Sequence, residues 1–167
     1  MATTRVMKTI AIYRQEAKDG IIWDRSPGEE SGMSAIVAGA PLVRDGSTME
    51  LEEWAGGTDT ALIAGIAAHP LSGTAGTKVG YYEANDYNLF EASLINNTTA
   101  HVLVATNIGV AYSLVKSGTS WYVDVADTTS DVVEVVGIIS DIGDTNPRVI
   151  VRFVTARTAN VIVGALS

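Results

Sequence analysis

Two histidines, a serine–lysine pair, a glycine-rich loop and several clustered aspartates are the residues of this chain whose types could do chemistry. His69 ends an apolar run before Pro70, and His101 opens a β-branched stretch. Neither has a second histidine at metal-ligand spacing, so both read as turn or rim residues. Ser113-Leu-Val-Lys116 matches by letter the serine–lysine pair of penicillin-binding enzymes. That chemistry also needs a helix start and two further motifs, which are absent. Gly73-Thr-Ala-Gly76-Thr-Lys78 imitates a phosphate loop, but its glycine spacing is wrong and no helix is expected after it, so it reads as a flexible loop. Asp124, Asp127 and Asp131 flank one turn, and Asp141 and Asp144 another. They lack the alternating spacing of a calcium loop and read as solvated turn carboxylates. Asn96-Asn97-Thr98 spells a glycosylation acceptor, which matters only in a secreted chain. No enzymatic activity, no cofactor and no metal are expected.

Composition narrows the class further. The chain has 167 residues, room for one domain with a real core. It carries 11 basic and 19 acidic residues, a net charge of -8. Such a surface repels phosphate backbones, so nucleic acid is not an expected partner. The basic residues Arg5, Lys8, Arg14, Lys18 and Arg25 gather near the start. They would either match an acidic protein surface or form a solvated arm. With no cysteine, stability must come from burial, hydrogen bonding or oligomerisation. Residues 7–12 are too short and too broken by Lys8 and Thr9 for a secretory core. The longest apolar run, 61–68, is far short of a membrane span, so a soluble chain with no membrane partner is expected.

The elements that must position these residues read as short strands between polar turns. Residues 6–13 suggest a strand, 15–20 a charged turn, and Ile21, Ile22 and Trp23 an isolated apolar patch before a Pro-Gly loop. That patch must bury against the domain's own core or a neighbouring subunit. Residues 35–43 read as a strand interrupted at Gly39 and Pro41, hence an edge or a bulge. Residues 58–69 fit either a capped helix or a buried strand; the strand is favoured because Gly65 weakens a helix and both faces are apolar. Residues 71–80 read as a loop. Strands are expected over 87–95, 101–105, 111–115, 120–125, 132–140, 149–155 and 159–166. The spacing predicts one all-β domain, a small β-barrel or β-sandwich over 34–167 with an extended N-terminal arm over 1–33.

Of the three tryptophans, Trp121 lies in an alternating strand and is expected in the core. Trp23 and Trp54 lie in loop-rich surroundings. They would stack on sugars, anchor a protein interface, or fill a satellite cluster under a loop.

The order Gly39-Ala-Pro-Leu-Val43, Asp45-Gly46, Gly57-Thr58 and Leu62-Ile-Ala-Gly-Ile-Ala67 resembles the first half of a tailed-bacteriophage capsid decoration (cement) protein. Asn88-Leu-Phe-Glu-Ala92, Ile108-Gly109 before Tyr112, Trp121-Tyr-Val-Asp124, Val136-Gly137 and Arg148-Val-Ile-Val-Arg-Phe153 continue it, over about residues 35–155. Each motif is ordinary strand-and-turn sequence; their order carries the resemblance. It implies a non-enzymatic virion protein, made in the host cytoplasm. Such a protein binds the major capsid protein on the outer face of an expanded head, often as a homotrimer. Many weak contacts on a lattice would then add up. Contact to the capsid or a sister subunit is expected through Arg5, Ile21, Ile22, Trp23 and Trp54. The alternative is a carbohydrate- or receptor-binding β-module of a tail or spike, using Trp54 and Tyr81-Tyr82.

Overall fold

Runs of three to eight β-branched and aromatic residues, cut by Gly, Asn and Asp turns, are too short for helices and long enough for strands. The computed structural model describes residues 2–14, 21–24, 28–31, 36–57, 61–85, 87–154 and 158, and all its regular elements but one 3-10 turn are strands. They form two sheets. The smaller is open and antiparallel, built from β2 (Ile22–Asp24), β3 (Pro41–Arg44), β4 (Leu51–Glu53), β5 (Ile63–Ala67) and β6 (Val79–Glu83) in the order β2-β6-β5-β3-β4. The larger contains β1 (Ala11–Arg14), β7 (Leu89–Asn96), β8 (Thr99–Ala100), β9 (Ala111–Ser117), β10 (Ser120–Asp124), β11 (Val133–Ile138) and β12 (Arg148–Phe153).

The larger sheet closes on itself. From β7 it runs through β10, β9, β11 and β12 and returns to β7. Closure depends on the length of β7. Its first half lies between β1 and β12, and its last residues lie between β10 and β8. The β7–β10 contact is parallel and pairs Val123 with Leu94; the other pairings of the ring are antiparallel. Inside, Phe90 meets Phe153 edge to face at 5.3 Å, among Leu94, Leu114, Val123, Val133, Val135, Val149 and Val151. Each large side chain so buried contributes about 1.5–3 kcal/mol.

Residues 58–69 supply β5, a strand buried along its whole length, as the apolar run on both faces suggested. Gly65 is there for packing: an added Cβ would collide with the Tyr81 ring and the Tyr82 carbonyl. Three expectations need correction. β6 falls partly in the stretch read as a loop, because Val79-Gly-Tyr-Tyr-Glu83 is short and follows directly on a Gly/Thr-rich segment. Pro41 does not mark an edge strand, but the β3–β5 register does slip just after it, between Leu42 and Val43, as a bulge would. β3 lies between β4 and β5, and Pro41 is its first residue, where a missing N–H costs no ladder bond. Residues 101–105 make only a single bridge, Val102 to Thr145, before a 3-10 turn at Ala105–Asn107, because the Asn107 side chain takes the Val104 N–H. The strand expected over 159–166 lies outside the described residues.

The N-terminal arm is extended and tied down. Arg5 N–H donates to Thr145 O (2.9 Å) and Thr145 N–H to Thr3 O (2.8 Å). Lys8 N–H donates to Ser93 Oγ (3.0 Å), and β1 then pairs with β7. Regular pairing starts at Ala11 rather than at residue 6. The strap crosses the turn at Gly39, whose φ is +91° and whose added Cβ would sit 2.5 Å from Ile10 O. Gly39→Ala therefore combines left-handed backbone strain with a backbone clash, and should cost about 2–3 kcal/mol in urea unfolding. An unchanged midpoint would show that the strap is not held there.

Candidate functional site

The sequence candidates for catalysis are dispersed. His69 is exposed, whereas His101 is half-buried and its Nε2 donates to Asn107 Oδ1 (3.0 Å). Ser113 is buried in β9. Lys116 is at the surface, ion-paired to Glu53 (2.6 Å), so it is not placed as a base for the serine. A cleft of about 260 Å³ between the strap and the smaller sheet is lined by Ile10, Ile12, Ile66, Ala67 and Tyr82 among others, with no ionisable group but the Tyr82 hydroxyl. The serine–lysine pair read from the sequence is not assembled.

The glycine-rich loop does cradle an anion, but one from its own chain. The buried Glu29 carboxylate accepts Ser72 Oγ–H (2.8 Å), Ser72 N–H (3.1 Å) and Gly73 N–H. The loop is clasped rather than flexible. Its partner lies 43 residues upstream of Ser72, beyond the reach of any local motif.

The aspartates are structural too. Asp124 Oδ1 accepts the N–H groups of Asn97 (2.7 Å) and Ala126 (3.0 Å). Asp127 accepts from Thr129 and Ser130, chiefly the Thr129 N–H, which lowers its pKa. Asp45 is lowered as well, first by the Ser47 hydroxyl and then by the Thr48 N–H. Asp144 has no solvent-exposed surface and clasps the arm. It accepts Arg5 Nε–H (2.5 Å), Thr3 N–H (2.7 Å) and Asp141 N–H (3.2 Å), and the Arg5 bond is the largest cause of its lowered pKa. One acidic group escaped the sequence reading. Carboxylate oxygens of Glu30, Asp45 and Glu52, from three separate segments, lie within 4.8 Å of one another and are the described residues best placed to hold a cation.

The expected contact residues separate. Arg5 is half-buried, and its Nε–H is bonded to Asp144. Ile21 is half-buried, while Ile22 and Trp23 lie in β2 opposite Tyr81 and Gly80. Trp54 is the clearest correction. It is 1% exposed and packs on Trp121 at 5.5 Å and 35°, so it offers no face to a sugar or a partner. Tyr81 is also buried, whereas Tyr82 is half-buried and lines the cleft, so Trp54 and Tyr81-Tyr82 do not form an exposed aromatic platform.

The surface that stands out was not singled out in the sequence. Val102, Val104, Ile108, Val136, Ile138 and Ile142 are each between 36% and 52% exposed. They belong to two segments tied together at both ends. Leu103 N–H donates to Asp144 O and Gly143 N–H to Leu103 O (both 2.9 Å); Gly109 N–H donates to Val135 O (2.8 Å). These residues thus share one pole of the ring. Along β11 Val133 and Val135 face inward on either side of Glu134; the register with β12 then slips at Val136, and Val136 and Ile138 are left as exposed aliphatic residues near the end of the strand. Asn107 rigidifies the pole. Its Oδ1 accepts from Val104 N–H (3.0 Å) and His101, and its Nδ2 donates to Tyr112 Oη (3.0 Å).

Two outcomes follow. Trp54→Ala should cost about 3–5 kcal/mol of stability, measured by denaturant titration; a near-neutral change would return Trp54 to the surface. Asp144 titrates below its ordinary value of 3.8, so its contribution to stability is complete above that value and is lost as pH falls through the lower folded value. Wild type should therefore lose more stability between about pH 5 and pH 2 than Asp144→Asn, read from thermal midpoints, and parallel profiles would show that the clasp carries no linkage. Comparison with protein-family models, curated proteins and solved structures found no match to this chain.

Proposed function

We propose that this chain is a non-enzymatic structural protein that binds the outer surface of an icosahedral phage head at subunit junctions and stabilises the expanded shell. The observation that carries the reading is the aliphatic pole on a body otherwise rich in carboxylates. Contiguous exposed apolar side chains rimmed by polar surface mark protein contacts rather than small-molecule chemistry. The order of strand and turn motifs, similar to that of capsid decoration proteins, points to a capsid as the shell on which such a part assembles. Strands cross-tied by Arg5–Asp144, Glu29 and Trp54–Trp121 make a rigid body, which suits a part that must resist shell deformation without reorganising. Many copies on a symmetric lattice need only modest contacts each.

Co-sedimentation with expanded heads stripped of decoration, against unexpanded proheads, tests this. Saturable binding to expanded heads at a copy number fitting the lattice is the expected result. No binding to any cognate head would remove the capsid reading.

A further inference from the structure

We infer that the uncharged pole formed by Val102, Val104, Ile108, Val136, Ile138 and Ile142 is the interface between copies of this chain. This rests on the reading of the pole as a contact surface and adds the identity of its partner.

Charge is the first reason. Over residues 102–110 and 136–143 the only charged side chain is Asp141, although the whole chain carries a net charge of -8. Two bodies of like net charge repel where their carboxylates face each other, and an uncharged surface lets them meet without that repulsion. The pole is such a place. A heterologous partner matched to this chain would gain more from meeting its acidic faces.

Composition is the second. The exposed large side chains here are all Val and Ile, with no Tyr, Trp or Arg among them. Aromatic residues, Met and Arg enrich contacts between partners that also live apart; interfaces between identical subunits resemble a core cut in half.

Rigidity is the third. Asn107 holds the 101–107 segment from both sides, and Leu103 is bonded to Asp144 and Gly143 across the pole. The aliphatic side chains are presented on an ordered frame, so association spends little on ordering the backbone.

The test is sedimentation velocity of the full chain without heads, at about 10 µM and at about 50 and 500 mM salt. The chain should sediment as an oligomer, held as tightly or more tightly at high salt, because screening removes the repulsion between acidic bodies. Ile108→Glu with Ile142→Glu should raise the dissociation constant by about a hundredfold while leaving the circular dichroism spectrum in place. Tyr87→Glu, beside the opposite end of β7, should leave assembly unchanged. The chain has no cysteine, so Ile142→Cys treated with bifunctional maleimides of graded length should give covalent oligomers, and Tyr87→Cys should not. A wild-type monomer, assembly that weakens with salt, or glutamate variants that still assemble would overturn the inference. A monomer that nonetheless saturates expanded heads would overturn it and leave the decoration reading standing. An oligomer that binds no head would do the reverse.

Discussion

The packing of Trp54 against Trp121 is the joint between the two sheets, and much of the architecture follows from it. Trp54 comes from the end of β4 in the open sheet, and Trp121 from β10 in the closed ring. Gly56 lets the chain pass over the Trp121 ring, where an added Cβ would come within 3.3 Å of Cη2. Glu53 frames the joint by accepting from Trp121 Nε1 (2.7 Å) and Lys116 Nζ (2.6 Å). One cost remains, since Trp54 Nε1 is buried without a hydrogen-bond partner. Such an orphan costs about 1–3 kcal/mol, which the burial of two indoles in a large shared core offsets.

A joint of this kind leaves the rest of the sheet edges to be managed, and the N-terminal strap does part of that work. It runs beside residues 144–146 at one end and pairs with β7 at the other. The fully buried Asp144 would be costly alone; Arg5, Thr3 and Asp141 make it a clasp that joins chain positions about 140 apart. Glu29 repeats the device on the other sheet, seating its carboxylate in the Ser72–Gly73 loop. Contacts of such long sequence separation carry a large loop-closure cost and reward the chain only once both sheets exist.

These uses of acidic groups bear on function. The aspartates that the sequence offered for metal chemistry are largely engaged in turns and clasps, as Asp124, Asp127 and Asp144 show. What the fold leaves outward is aliphatic surface at one pole, framed by Asn107 and the Asp144 turn. A surface of that kind offers apolar area rather than charge.

The all-β class, the strand character of residues 58–69, the long β7 and the core placement of Trp121 were all legible in the sequence. Each rests on local information: alternation, β-branching, or an apolar run too short and too Gly-interrupted for a helix. The ring closure through one parallel contact, the clasp between Arg5 and Asp144, and the seating of Glu29 in a loop misread as flexible were not. They join residues between 29 and 139 positions apart, and no local pattern encodes which partner a side chain will meet. The same limit explains Trp54, which sits in loop-like sequence yet is buried because another sheet covers it. It also explains the pole, where Val102, Ile108 and Ile142 look like ordinary strand and turn residues. The sequence by itself determined which residues favour strands and turns, because that preference is set by each side chain and its neighbours. Only the tertiary structure decided which apolar side chains were covered and which were left out, because burial belongs to the packing of whole sheets.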